Sequence, residues 1–230
     1  MHALLRTIAK WLMKLYFNVK VIGLENIPAS GPLIVASNHQ AVVDSYALPA
    51  FLEQDLIFLS KKEYFEKPGI LGALLRWALT GRAIPVDRES VVDAVAAFGK
   101  LVEVLNKGGR IGIHPEATRA PPGAVYRGKT GAVNMAWKSG ALVLPVAIIG
   151  SHRANKPGRR IPRFRARITL IIGQPMTFAP PIIFGKLKAA QKLQQETQTR
   201  HLMQMIAKLA GWLYVDEDAG DAKEALSKGE

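Results

Sequence analysis

Apolar runs of strand length alternate with stretches of helical length along most of this 230-residue chain. The runs are Asn18–Leu24, Pro32–Ser37, Asp55–Ser60, Ala83–Asp87, Arg110–His114, Leu142–Gly150 and Arg167–Ile172. The helical stretches are Asp44–Leu52, Lys62–Leu79, Ser90–Asn106, Lys129–Lys138 and Ile182–Trp212. Such alternation predicts an α/β sheet with helices on its faces. Gly108 and Gly109 stop the helix before them. The Pro-rich piece Phe178-Ala-Pro-Pro-Ile separates the sheet region from a long C-terminal helix. The length suits one domain, or one domain with appendages.

In open α/β sheets, ligands gather beyond the carboxyl ends of the strands. Three predicted ends carry polar residues: Asn38-His39, Asp87-Arg88 and His114-Pro115-Glu116. His39 and Asp44 lie five positions apart. On one continuous helix they would diverge by about 140°. They meet only if His39 ends a strand and Asp44 opens the next helix. The pair is then a neutral imidazole, its tautomer held by Asp44, that takes a proton from a substrate hydroxyl. The alternative is a turn histidine beside a helix-capping aspartate. Arg88 suits a phosphate or carboxylate clamp through its bidentate fork, or else a surface salt bridge with Asp87 or Glu89. In HPEATRA, His114 to Ala120, Pro115 restrains the backbone and Glu116 can position a hydroxyl or an arginine. Thr118 and Arg119 can contact phosphate oxygens.

Four segments stand in order: NHQAVVD from Asn38, GRAIPVDR from Gly81, HPEATRA from His114 and LPVAIIG from Leu144. Together they resemble the glycerolipid acyltransferase family, in particular bacterial 1-acylglycerol-3-phosphate acyltransferases. The likeness extends through FLSKKEYFEKPGILG and YRGKTGAVNMAWKSGALVLP and covers roughly residues 20 to 175.

The resemblance implies a single domain built on a mixed sheet flanked by helices. It implies transfer of a fatty acyl chain from an acyl thioester, coenzyme A or acyl carrier protein, to the free hydroxyl of 1-acylglycerol-3-phosphate. The product is phosphatidic acid. His39 is then the general base and Asp44 its orienter. Asn38, Lys61, Arg88, Glu116, Thr118 and Arg119 fall to substrate binding. Lys61 matches a family lysine that holds phosphate or stabilises the developing oxyanion. No metal or cofactor is implied beyond the thioester co-substrate. The chain has no Cys and no Gly-x-Ser-x-Gly elbow, so a covalent acyl-enzyme has no obvious attachment point.

Three residues depart from the family pattern. Ala117 stands where the family has glycine, and costs about 1 kcal/mol if that position needs a positive φ. His114 replaces an aromatic residue and reads as a hydrogen-bonded structural histidine, with a second titratable group as the alternative. Ala120 replaces serine. These changes leave glycerol-3-phosphate, or another lysolipid or alcohol, open as the acceptor.

The net charge of +13 is unevenly placed. Arg153 to Arg167 holds seven Lys/Arg and no acid, whereas Val215 to Glu230 holds six acids and two lysines. The basic part attracts phosphate-rich partners. Residues 1–19 read as an amphipathic helix, with Arg6, Lys10 and Lys14 on one stripe and Leu4, Ile8, Trp11, Leu12 and Leu15 on the other. Such a helix lies in a membrane interface or docks on its own domain. The interfacial reading places the protein peripherally on the cytoplasmic face of the cell membrane, bound to an anionic surface. Residues 20–213 form the α/β domain, and 214–230 read as a flexible, solvated acidic tail.

A non-enzymatic module for anionic membrane or nucleic acid is the reading from another class. Phe164 is the only aromatic within the basic run, however, so base stacking is poorly served and nucleic acid is not expected. Gly123 to Thr130 matches a P-loop literally, but without the preceding strand that a nucleotide-binding loop requires.

Overall fold

The structure, a computed structural model, describes residues 2–66, 83–87, 90–154, 163–180 and 188–228. Arg88 and most of the expected helix Lys62–Leu79 lie outside the described residues. Among them, the first strands are β1 (Asn18–Ile22), β2 (Leu33–Ser37), β3 (Leu56–Lys61), β4 (Ala83–Val86) and β5 (Arg110–Ile113). A short β6 (Ala124–Tyr126) precedes β7 (Leu142–Ile149), β8 (Arg167–Ile172) and β9 (Leu213–Val215). Seven of them form one sheet in the order β1-β8-β7-β2-β5-β3-β4. β7, β2, β5, β3 and β4 run parallel, while β8 lies antiparallel to β7 and parallel to β1. The sheet is therefore mixed, and the carboxyl ends of its parallel strands share one edge.

β2 sits at the centre with all five residues buried, as a near-continuous apolar run requires when helices cover both faces. Its side chains alternate between two cores. Leu33 and Val35 join α2 (Asp44–Leu52) through Leu48, Phe51 and Leu52. Ile34 and Ala36 face α4 (Val91–Asn106), α5 (Gly131–Ser139) and α6 (Lys188–Ala210) through Leu101, Met135 and Ile206. The helix α1 (His2–Tyr16) packs on the first core through Met13 and Tyr16. A short α3 (Glu63–Glu66) follows β3. Pro145 stands inside β7 with only its carbonyl used on the β8 side, accepting from the Gly173 N–H at 2.9 Å just past the last paired residue Ile172.

The acidic C-terminal segment differs from expectation. Instead of a flexible tail from residue 214, β9 pairs in parallel with β6, and α7 (Ala219–Lys228) follows. Its composition suggested solvation, but its acids have partners. Asp218 pairs with Lys129, and Arg200 reaches Asp216 at 3.0 Å. The Arg127 N–H donates to the Glu217 carbonyl. Ala219 is fully buried against Ala120 and Tyr126. The same contacts settle the P-loop match. Its interior is the strand β6, and Gly128 packs so closely on Met203 that a Cβ would meet its sulfur at 2.9 Å.

After β5 the chain turns over Pro115 and Glu116, closed by the Ala117 N–H donating to the His114 carbonyl at 2.9 Å. Ala117 then adopts φ +59°, a left-handed conformation that penalises a Cβ. The glycine that the family carries there fits that geometry. Ala117→Gly is therefore expected to raise stability by about 0.5–1 kcal/mol, read as a higher urea midpoint with an unchanged slope.

Candidate active site

β2 ends at Ser37 and the chain leaves the sheet edge through Asn38 and His39. Asn38 is fully buried and pairs with β7 as a strand residue would. Its amide nitrogen donates to the Ile148 carbonyl at 2.9 Å, and its oxygen accepts from the Ile148 N–H at 2.7 Å. Both ends of the amide hold the loop to the sheet, so in this structure Asn38 serves the scaffold.

The six-residue connection from β2 to α2 folds His39 and Asp44, five positions apart, together as the spacing required. The His39 Nδ1 lies 3.0 Å from the Asp44 Oδ2. The same oxygen accepts from the backbone N–H groups of Gln40 and Ala41, each at 2.8 Å. Asp44 is fully buried at the start of α2, where the helix dipole favours a carboxylate. A carboxylate acceptor at Nδ1 fixes the proton there and leaves Nε2 as the basic nitrogen. The His39 side chain keeps 17% of its surface exposed.

Glu116 comes from the loop after β5. Its Oε2 accepts from the His39 backbone N–H at 2.8 Å and its Oε1 from the Tyr126 N–H at 3.0 Å. The carboxyl is buried, only 1% exposed. In this structure both carboxyl oxygens form a backbone clamp beneath the histidine. The His39 carbonyl accepts from the Ala120 N–H at 2.7 Å, so both backbone polar groups of His39 are tied to one loop. Burial pushes the Glu116 carboxyl up to about 7, against the two backbone N–H donors that favour the charged form, with Asp44 adding to the rise.

His114, at the end of β5, lies flat against His39. The two rings are stacked with centroids 4.1 Å apart and planes 8° from parallel. The His114 Nδ1 is 2.9 Å from the Ser37 Oγ and 3.4 Å from the Ser37 carbonyl, and Nε2 is 3.1 Å from the Ser45 Oγ. Part of its surface remains accessible, yet the ring sits deep enough for burial to lower its pKa to about 3. The His39 charge contributes further lowering. His114 is therefore neutral near pH 7. Phe58 of β3 stands 5.9 Å from its ring. Gly112 makes room for Phe58, since a Cβ there would come within 2.0 Å of the Phe58 ring.

The remaining expected residues sit outside this tight cluster. Thr118 is half-buried and Arg119 exposed on the loop after Ala117. Lys61 ends β3 on the same sheet edge, about half exposed, with Nζ 4.0 Å from Glu63. Ser37, Ser45 and Gln40 were not singled out in the sequence. Ser37 and Ser45 flank the motif, but hydroxyls beside a histidine carry no spacing signal of their own. The Gln40 Oε1 lies 3.3 Å from the His152 Nδ1, which brings His152 to the rim of the site.

The Glu116 shift has a definite pH sign. With a folded pKa raised above 4.5, the folded state binds the extra proton between about pH 4.5 and 7. Stability from the neutral carboxyl is full below that window and is lost as pH rises through 7. Glu116→Gln removes this dependence. The wild type is expected to lose roughly 3 kcal/mol relative to the variant between pH 4.5 and 8, measured as the difference of two urea-unfolding series.

A family model described as Acyltransferase matches residues 18–149. Among curated proteins, the chain is 29% identical over 163 residues to a chloroplastic 1-acyl-sn-glycerol-3-phosphate acyltransferase of Arabidopsis thaliana. That match takes in 70% of this chain and 44% of the relative. It is 29% identical to the 1-acyl-sn-glycerol-3-phosphate acyltransferase of Bacillus subtilis, over 82% of this chain and 87% of that one. The chain thus spans about half the length of the plant relatives and most of the Bacillus one. Among solved structures, the 1-acyl-sn-glycerophosphate acyltransferase PlsC from Thermotoga maritima superposes with a TM-score of 0.64 at 27% identity. The superposition covers 88% of this chain and 78% of that chain. The matched region holds β1 to β7 with His39, Asp44 and the loop after β5, and the chain belongs to the Acyltransferase family.

Proposed function

We propose that this protein transfers a fatty acyl group from an acyl thioester to the free hydroxyl of 1-acylglycerol-3-phosphate, giving phosphatidic acid. The donor is acyl-coenzyme A or acyl carrier protein. The observation that carries the proposal is the 3.0 Å contact between the His39 Nδ1 and the Asp44 Oδ2, which leaves Nε2 as the basic nitrogen. His39 Nε2 takes the proton of the acceptor hydroxyl as its oxygen attacks the thioester carbonyl. The carbon–oxygen bond forms, the carbon–sulfur bond breaks, and the imidazolium returns its proton to the departing thiolate. The thioester is already activated, so positioning and a base suffice and no acyl-enzyme is needed.

Arg119 and Thr118, with Lys61 on the same edge, are the groups assigned to the acceptor's phosphate and the developing oxyanion. Arg88 joins them by its place in the sequence. Acceptors other than 1-acylglycerol-3-phosphate remain the second reading, because Ala117 departs from the family inside this loop and is exposed.

Membrane association belongs to the same proposal. Among the described residues, no helix is long and apolar enough to cross a membrane. On α1, Ile8, Trp11 and Leu15 are 46%, 71% and 75% exposed and share one face at i, i+3 and i+7. Phe164, 57% exposed, reaches the same end through Tyr16, 5.4 Å away. Apolar side chains left uncovered beside Lys14 and Arg163 suit a peripheral seat on an anionic leaflet at the cytoplasmic face.

Mass spectrometry of products from lysophosphatidate and a long-chain acyl thioester tests the reaction. Wild type is expected to yield phosphatidate, with both donor types supplied. His39→Ala should lose about 10²–10⁴ in kcat, and an undiminished rate would remove His39 as the base. A Trp11→Ser/Leu15→Ser variant should bind anionic vesicles at least about tenfold more weakly in a sedimentation assay, while retaining its thermal midpoint.

A further inference from the structure

His39 is held on one edge by Asp44 and across one face by His114. The charged or titratable groups around it among the described residues are few. They are Asp44 of α2, His114 and Glu116 from the end of β5, and His152, linked through Gln40. Only His114 meets the ring face. The stack is close, 4.1 Å between centroids at 8°.

The two hydroxyls leave His114 little choice of orientation. The Ser37 carbonyl can only accept, so Nδ1 carries the proton toward Ser37, and the Ser45 hydroxyl is left to donate to Nε2. Both nitrogens are thereby spent in the ring plane. What His114 offers His39 is its π face alone.

That face matters at one moment. When His39 takes the acceptor's proton it becomes a cation, and a neutral aromatic face within 6 Å attracts a cation. A charged neighbour at the same place would repel it. We infer that His114 is a positioning residue, a ring fixed by Ser37 and Ser45 against the face of His39, that stabilises the imidazolium formed when His39 takes a proton. This inference rests on the reading of His39 as general base. It also accounts for a histidine at a position where the family carries an aromatic residue, since the neutral imidazole supplies the same kind of surface.

Two variants separate the π face from simple packing. His114→Phe keeps an aromatic face but loses both serine bonds. His114→Leu fills a similar volume without a π system. The Leu variant is expected to lower kcat about threefold or more, with KM for both substrates within twofold. It should also move the acid limb of the kcat/KM profile down by about half a pH unit, since the charged form of His39 loses support. The Phe variant is expected to restore the acid limb and most of kcat. Glu116 does not confound the comparison, because its shift comes from burial, the backbone donors and Asp44, not from His114. An acid limb unmoved in the Leu variant, or a Phe variant with a limb as displaced as that of Leu, overturns the inference.

The ring itself is read by nitrogen-15 NMR of histidine-labelled protein, which needs no turnover. In the wild type, His114 is expected to hold one protonated and one unprotonated nitrogen from pH 5 to 8. A His114 that titrates within that range overturns the inference even if neither variant folds. Absence of acyl transfer by the wild type, with the NMR result as expected, would instead sink the proposed reaction and leave the stacking intact.

Discussion

One oxygen of Asp44 gathers three donors: the His39 Nδ1–H and the N–H groups of Gln40 and Ala41. The rest of the site depends on that convergence. The residues from Asn38 to Val43 leave a strand and enter a helix with no ladder to satisfy their backbone, and buried N–H groups without acceptors cost on the order of 1–3 kcal/mol each. A carboxylate at the first turn of α2 collects them at the helix end where negative charge is favoured. The loop's shape and the histidine's tautomer are consequently set by the same atom. Glu116 and Ala120 then fix the backbone of His39 from below, one taking its N–H and the other giving to its carbonyl. His39, the proposed base, is held at its ring edge, its ring face and both backbone polar groups, and among the described residues its Nε2 has no hydrogen-bond partner.

Much of this was legible in the sequence. The seven strand runs coincide closely with the seven strands of the main sheet, because short apolar runs bounded by Gly and Pro admit few other structures. The meeting of His39 and Asp44 was one of two readings left open, since a five-residue spacing is useless on a helix and workable across a strand-to-helix turn. A positive φ at Ala117 was one condition under which the replaced glycine would matter, and the structure meets it. What could not be read was direction. Asn38 and Glu116 are polar residues beside a base, and sequence does not say whether such groups face a ligand or turn inward. Here backbone N–H and C=O groups at the strand end needed partners, and these two side chains met that need. The C-terminal segment misled for a related reason. Its acids suggest solvation taken by themselves, but Lys129 and Arg200, distant in sequence, stand where they fold.

The turned-in residues divide the site into two parts with different physical character. On the proposed reading, proton handling rests on groups locked by several hydrogen bonds each, where any change leaves an unsatisfied partner. The groups proposed for a substrate's phosphate, Thr118, Arg119 and Lys61, are side chains at or near the surface whose replacement disturbs little of the fold. Such a division would let acceptor preference drift while His39 stays fixed.

Ala120 shows where that drift stops. It stands at a position where the family carries serine, beside residues assigned to the acceptor, and so first suggests altered recognition. Its methyl group is 6% exposed and packs with Tyr126 and Ala219 at the start of α7. A hydroxyl placed there would need a partner in an apolar contact, so alanine matches the C-terminal helix that covers it. Meanwhile its N–H still holds the His39 carbonyl. The substitution is explained by packing beneath the loop. Of the two alanines in HPEATRA that depart from the family, only Ala117 has an exposed side chain through which the acceptor could be discriminated.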